Sequence, residues 1–400
     1  MKFSSLTERV AGDSVDAWEV HYDGVARKEA GEDIIVLSVG EETEETTPDD
    51  IVEAAVRSLR AGRHHYTPVN GTPALRAAVA RRHRAMTGQA VDEDHCAIFA
   101  GAQNALFALA QCVLQGGDEV ILSEPYYTTY PATFTAAGAE MVAVATRIEH
   151  GFQIDAQAII AAITPRTRAI VLNAPNNPVG AVYPRAQYQA ILRACVERGI
   201  WLINDDVYQE LLFDSERANP SGLPGADEVC VTVSSLSKSH RMTGWRIGWV
   251  IGPPALMTHL YNLAVCMSYG LPPFIQDAAA AAIESGTAAA MALRAKLDRR
   301  RELLLRELRG VAGLKLFGAE GGMFVVFDIG TLPVTAREFA RELLRRHDVA
   351  ILPCDGFGAA DGDSGGATAK LLRVSLCVDE RRLAIACERI KTYAQSLRAA

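Results

Sequence analysis

The sequence predicts an α/β protein: a large domain whose mostly parallel sheet lies between helices, followed by a smaller α+β domain. Two observations carry this expectation. Short apolar runs alternate with helical patterns through the middle of the chain, and from about Thr287 the alternation gives way to a long Ala/Leu/Arg-rich stretch and a mixed pattern. Strand–helix alternation favours parallel strands, because each crossover must pass over a face of the sheet and a helix does so compactly.

The elements follow in order. Residues 97–100 read as a strand running into a helix. Runs at 119–122, 141–145, 169–172, 200–203, 229–233 and 247–251 each read as a buried strand, being short, apolar and bounded by turn residues. Between most of them lie segments such as 186–196, with apolar positions three or four apart. The second domain begins with a helix to Arg309, then a strand at 322–327, a helix near 335–347, strands at 349–352 and 371–376, and a final helix. A Gly/Ala/Asp-rich loop spans 356–366. The expected organisation is an N-terminal segment, 1–47, a large domain, 48–285, and a small domain, 286–400.

Composition narrows the function. The 400 residues are 49% hydrophobic and 22% charged, which is globular, and the net charge of −8 disfavours nucleic acid or an anionic membrane as a partner. The run Arg299-Arg300-Arg301 therefore reads as the solvated face of a helix. Eight cysteines lie apart without a C-x-x-C pair, so buried reduced thiols are expected rather than a disulfide framework, and no metal site. The start turns charged before any apolar stretch of signal-peptide length, and no long uncharged apolar run follows. The expectation is a soluble cytoplasmic protein.

In a parallel sheet, ligands bind at the carboxyl ends of the strands. Polar residues gather there: Gly101-Ala102-Gln103 at a helix start, Asn177 after one strand, Asp205 and Tyr208 after the next, and Ser235, Ser237, Lys238 and Arg246 beyond a third. Together they offer a helix N-terminus, hydroxyls and an arginine for a dianion, with a carboxylate, an amine and a phenol beside them. Pyridoxal 5'-phosphate needs all of these. The amine forms an imine, the carboxylate keeps the ring nitrogen protonated, and the phenol and amide bond the ring hydroxyl.

The segment from Ser235 to Trp249 resembles the cofactor-lysine signature of class I/II pyridoxal-phosphate aminotransferases of fold type I, the aspartate aminotransferase superfamily. The likeness runs from Leu37-Ser-Val-Gly40 through Tyr66-Thr-Pro-Val-Asn-Gly71, Gly101-Ala-Gln-Asn104, Pro125-Tyr-Tyr127, Asn176-Asn-Pro-Val-Gly180 and Asp205-Asp-Val-Tyr208 to Leu372-Arg-Val-Ser375. The resemblance implies that Lys238 carries the cofactor as a Schiff base and shuttles the substrate proton. It pairs Asp205 with the ring nitrogen, sets Asn177 and Tyr208 on the ring oxygen, and stacks Tyr127 on the ring. The amides of Ala102 and Gln103, with Ser235, Ser237 and Arg246, take the phosphate. Arg373 receives the substrate carboxylate, helped by Gly40 and Asn177. Tyr66 reaches the phosphate of a neighbouring subunit, so a homodimer is implied. The implied reaction is a ping-pong transfer of an α-amino group to pyruvate or 2-oxoglutarate.

Three departures stand out: the first removes no catalytic group, the second falls in a loop near the substrate, and the third bears on substrate identity. Val179 replaces a usual Thr, Cys354 interrupts Pro353-Cys-Asp-Gly-Phe-Gly358, and Glu41-Glu42-Thr43-Glu44 replaces the family's Glu-Pro-Asp-Phe. Trp18, His21, Tyr22 and the run Ser268–276 resemble arginine–pyruvate transaminases. Acids at Asp13, Asp16, Glu19, Glu41 and Glu42 offer partners for a guanidinium, although solvated acids are the blander reading. Aspartate or aromatic donors are the alternative, as are a β-lyase or an oxidative enzyme on the same scaffold. Two serine motifs compete. Ser235-x-x-Lys238 lacks the S-D-N and K-T-G partners of penicillin-binding enzymes, and Gly362-Asp-Ser-Gly-Gly366 lacks the strand that a nucleophile elbow requires. A regulatory relative fused to a DNA-binding domain would need more chain than lies outside 37–373.

Overall fold

The computed structural model describes residues 2–11, 18–213, 218–359 and 368–399. A short strand, β1 (Ile35–Val36), precedes the main sheet, which contains β2 (Cys96–Phe99), β3 (Glu119–Glu124), β4 (Glu140–Ala145), β5 (Thr167–Asn173), β6 (Trp201–Asp205), β7 (Cys230–Ser235) and β8 (Gly248–Ile251). Its order is β2-β8-β7-β6-β5-β3-β4. Strands β3 to β7 run parallel, and β8 is antiparallel to both β7 and β2.

Strand alternation sorts the apolar side chains between two helical layers. Ile121, Ile170, Leu172 and Leu202 pack with Ile191 and Leu192 of the helix Arg185–Arg198. Val120, Leu122, Val171, Ile203 and Val231 face the other way, against Leu106 and Leu109 of the helix Ala102–Val113. Burial on both faces is why these strands are continuous apolar runs. The 141–145 run differs from its expectation: β4 is the edge strand, and its residues are half-buried or exposed.

The smaller domain holds β9 (Lys315–Phe317), β10 (Phe324–Asp328), β11 (Val349–Ala350), β12 (Leu352–Pro353) and β13 (Leu371–Ser375). Four of these form an antiparallel sheet in the order β12-β13-β10-β9. The single strand expected at 349–352 is two. Its first half, β11, leaves that sheet to pair in parallel with β1. This pairing, continued by Leu37 N–H to the Ala350 carbonyl and Ser375 N–H to the Leu37 carbonyl, ties the N-terminal segment to the small domain.

The strap that follows β1 is held from both sides. Glu42 accepts a 2.6 Å bond from Arg300 on the helix Ala288–Leu308, and both side chains are buried. Arg300 also donates to the Leu376 carbonyl at 3.1 Å. Glu41 accepts from Thr243 in the loop beyond β7, and Glu45 pairs with Arg241 and Lys296. The arginine run is therefore not a solvated face. Arg299 is exposed, Arg300 is buried on Glu42, and Arg301 lies 4.7 Å over the Phe213 ring. Six of the eight cysteines are buried, whereas Cys112 is partly exposed and Cys266 exposed; all are free thiols. No helix among the described residues is long and apolar enough to cross a membrane.

Candidate active site

Parallel register brings three strand ends together. Asn173 at the end of β5 is level with Asp205 at the end of β6, and Asp205 with Val233 near the end of β7. A cavity of about 260 Å3 opens there. Lys238, Asp205, Tyr208, Tyr127, Asn177, Ser235, Ser237, Arg246, Ala102, Gln103, Gly40 and Arg373 all line it. Tyr66 does not: it is 88% exposed on the surface.

One end of the cavity is an anion cup. The first amides of the helix Ala102–Val113 have no intrahelical acceptor, and their positive end faces the cavity. Arg246 lies against that end, its Nη1 donating to the Thr243 carbonyl at 2.7 Å and its Nη2 to the Ala100 carbonyl at 3.3 Å. Two glycines make the approach possible. A Cβ on Gly101, whose φ is +87°, would stand 2.4 Å from the Arg246 guanidinium, and one on Gly248 would stand 2.6 Å from the Ala102 nitrogen. The cup therefore needs glycine at both positions.

The middle carries the acid, the amine and the phenols. Asp205 is buried; its Oδ2 accepts from the Tyr130 hydroxyl at 2.5 Å and its Oδ1 from the Val207 amide at 3.3 Å. Lys238 Nζ donates to the Gly40 carbonyl at 2.8 Å. Desolvation pushes this amine below its ordinary range, and the nearby arginines add to the effect. Burial also raises the Tyr127 and Tyr208 phenols, so both remain hydrogen-bond donors.

At the far end Arg373 is fully buried. Its Nη1 donates to Asn177 Oδ1 at 2.7 Å and its Nη2 to the Ser38 carbonyl at 2.6 Å, while Nε has no partner. Phe324, Phe357 and Trp18 surround the guanidinium, with ring centroids 3.9, 4.9 and 5.9 Å away. No carboxylate among the described residues pairs with it. A buried arginine without a counterion is a receptor for an anion. Dianion cup, amine, buried carboxylate and second anion site together fit pyridoxal phosphate and an amino acid.

The family described as aminotransferase class I and II matches residues 32–390. The chain belongs to this family. It is 47% identical to the arginine–pyruvate transaminase AruH of Pseudomonas aeruginosa over 99% of both chains. An aspartate/prephenate aminotransferase of Thermus thermophilus is 37% identical over 82% of this chain and 85% of its own. The solved aspartate aminotransferase of Thermus thermophilus with maleate superposes with a TM-score of 0.91 at 32% identity, covering 98% of this chain and 100% of that one. The protein is thus a pyridoxal-phosphate-dependent aminotransferase of fold type I, acting on an amino acid and a 2-oxo acid.

Several cavity residues of this aminotransferase escape a motif reading. Tyr130 follows Tyr127 by one turn, and that spacing is its only signal; Phe324 reads as ordinary core, and Trp18 stands out only for the likeness of its segment, which assigns it no place at the site. The acids suggested for a guanidinium are mostly engaged elsewhere. Glu19 pairs with Arg341 and Glu42 with Arg300, and Glu41 accepts from Thr243; Asp13 and Asp16 lie outside the described residues, as does most of the 356–366 loop with Ser364.

Burial lifts the Asp205 carboxyl from an ordinary 3.8 to about 6, against the bonds from Tyr130 and Val207 and the charge of Lys238. Without cofactor, the folded chain keeps this proton to higher pH than the unfolded chain does. Asp205 thus contributes stability below about pH 4 that is lost as pH rises through about 6, up to about 3 kcal/mol. Asp205→Asn has no proton to lose. Urea denaturation of the cofactor-free proteins is expected to show wild type losing stability relative to Asp205→Asn across that window; parallel profiles would refute it.

Proposed function

We propose that this aminotransferase transfers the α-amino group of L-arginine to pyruvate, working as a cytoplasmic homodimer. Pyridoxal phosphate, when bound, supplies an aldehyde that takes up amines and a protonated pyridine ring that accepts the electron pair released at the substrate α-carbon. The chain's own groups do the rest. The amides of Ala102 and Gln103, with Ser235, Ser237 and Arg246, hold the phosphate, and Tyr127 covers the ring. Asp205 keeps a proton on the ring nitrogen, while Asn177 and Tyr208 hold the ring oxygen. Arg373 and the Gly40 backbone orient the substrate carboxylate, with Asn177 braced against Arg373. Lys238 Nζ holds the cofactor at rest; once displaced, it takes the α-proton and returns it, a task suited to an amine whose basicity burial has lowered.

The observation carrying the donor assignment is the 47% identity with an arginine–pyruvate transaminase over 99% of both chains. The cavity agrees in one respect. Its lining cations are Lys238, Arg246 and Arg373, each already given a task, so among the described lining residues none remains for a side-chain carboxylate. Aspartate is the second reading, favoured by the fold match to aspartate aminotransferases at a TM-score of 0.91. The homodimer is supported by the exposed pair Tyr66 and Tyr269, whose rings meet edge-on at 5.2 Å, and by exposed Tyr261, Val265 and Met267 on the helix Pro254–Met267 that leads to Tyr269. An aromatic cluster on the surface is accounted for if it inserts into a second copy. The free thiols suit a reducing compartment.

A donor screen with pyruvate and 2-oxoglutarate tests this. Arginine is expected to exceed aspartate in kcat/KM by at least about 100-fold, because a buried carboxylate without a partner costs roughly 3–5 kcal/mol. Arginine should also change the bound cofactor's absorbance in the absence of an acceptor. Good turnover of aspartate with none of arginine would reverse the assignment.

A further inference from the structure

We propose that Tyr130 is a positioning residue for the cofactor's pyridine nitrogen: its hydroxyl holds Asp205 as a carboxylate aimed at that nitrogen. The inference rests on the reading of Asp205 as the partner of the ring nitrogen. It adds the group that keeps Asp205 in the charged state this task requires.

The geometry is specific. Tyr130 is 2% exposed, and its hydroxyl donates to Asp205 Oδ2 at 2.5 Å. The second carboxylate oxygen receives only the longer 3.3 Å bond from the Val207 amide, which leaves it lone-pair capacity for a further donor. The Tyr130 ring is fixed on two sides. It stands edge-on to Tyr127 at 5.8 Å and 85°, and to Phe134 at 5.7 Å and 78°. Its amide donates to the Tyr127 carbonyl at 2.9 Å, closing the turn that opens the helix Tyr130–Thr135. One residue therefore braces both the ring-stacking tyrosine and the buried acid. Burial also raises the Tyr130 phenol far from ionisation, so its hydroxyl always acts as a donor toward Asp205.

The electrostatic consequence is directional. A proton shared between Asp205 and a pyridine nitrogen has two arrangements, carboxylate with pyridinium or carboxylic acid with pyridine. In a buried site the neutral arrangement gains from desolvation, which is the force that raises the Asp205 carboxyl here. A donor on the carboxylate favours the ionic arrangement. A charge-assisted hydrogen bond shifts such an equilibrium on the order of 10- to 100-fold. Only the ionic arrangement makes the ring a strong electron acceptor, so the hydroxyl acts on the reaction through Asp205.

The test uses holoenzyme reconstituted with pyridoxal phosphate carrying 15N at the ring nitrogen, whose NMR shift separates pyridinium from pyridine. Wild type is expected to give a pyridinium signal. Tyr130→Phe keeps the ring and its edge contacts, and should move the signal toward pyridine. Its kcat should fall on the order of 10- to 100-fold, with KM little changed. Phe134→Leu loosens the same packing but keeps the hydroxyl, and should leave the signal in place. An unmoved signal in Tyr130→Phe overturns the inference, and equal movement in both variants overturns it in favour of packing alone. If Asp205→Asn keeps the wild-type pyridinium signal, the reading of Asp205 itself fails and takes this inference with it. That outcome is distinguishable, because Tyr130→Phe alone never tests Asp205.

Discussion

Lys238→Ala is expected to lower transamination by at least about 10^4-fold, the upper end of what a positioned acid–base group contributes by itself. Among the described residues Lys238 supplies the only lysine amine lining the cavity, so on the proposed roles one substitution removes both the covalent anchor and the proton carrier. Binding of the cofactor should survive. The anion cup of Arg246, Ser235, Ser237 and the helix Ala102–Val113 does not depend on Lys238, and neither does the bond between Asp205 and Tyr130. Equilibrium dialysis should therefore find the variant still taking up pyridoxal phosphate. Borohydride reduction followed by peptide mass mapping should place the cofactor on the Lys238 peptide in wild type and on no peptide in the variant. Retained activity, or wild-type label on another lysine, would remove Lys238 from the centre of the chemistry.

The parts legible in the sequence are those where one local pattern has one physical cause. Strands β3, β5, β6 and β7 are buried on both faces, which writes itself as an unbroken apolar run. The polar residues at their carboxyl ends stand out against those runs, and together with the other motif positions they account for twelve of the residues that line the cavity. What escaped depends on distant partners. Strand β1 is two residues long and exists because β11, more than 300 positions later, pairs with it. The arginine run misled for a geometric reason. Successive helical residues are about 100° apart, so three in a row cannot share a face; Arg300 turns inward, and Glu42 in the strap is there to meet it. Tyr130 was unreadable because its role lies in where the hydroxyl points. Domain coupling is hidden in the same way: the acids Glu41, Glu42 and Glu45 look like a solvated run, yet Glu41 ties the strap to the lysine loop, Glu42 ties it to the helix Ala288–Leu308, and Glu45 reaches both.

Arg373→Met should separate substrate recognition from cofactor binding. The guanidinium is buried between Phe324, Phe357 and Trp18 and, among the described residues, is bonded only to Asn177 and the Ser38 carbonyl, with Nε unsatisfied. Desolvation lowers its pKa, the sign of a charge held out of water without a counterion. Such a site is strained toward accepting an anion, and a substrate carboxylate relieves it by two parallel charge-assisted bonds. Removing the arginine loses those bonds and leaves the incoming carboxylate buried and unpaired, a cost of about 3–5 kcal/mol. The expected result is a fall in kcat/KM of roughly 10^2- to 10^4-fold for every amino acid donor. Methionine keeps the length and apolar contacts of the side-chain stem, so the aromatic surround should persist. Cofactor affinity should change little, since the cup proposed for the phosphate is built from other residues of the cavity. The decisive comparison is a donor against its analogue lacking the α-carboxylate. Wild type should prefer the acid strongly, and Arg373→Met should prefer neither. An undiminished preference in the variant would mean that the carboxylate binds elsewhere, and that Arg373 serves only to hold Asn177 and Ser38 in place.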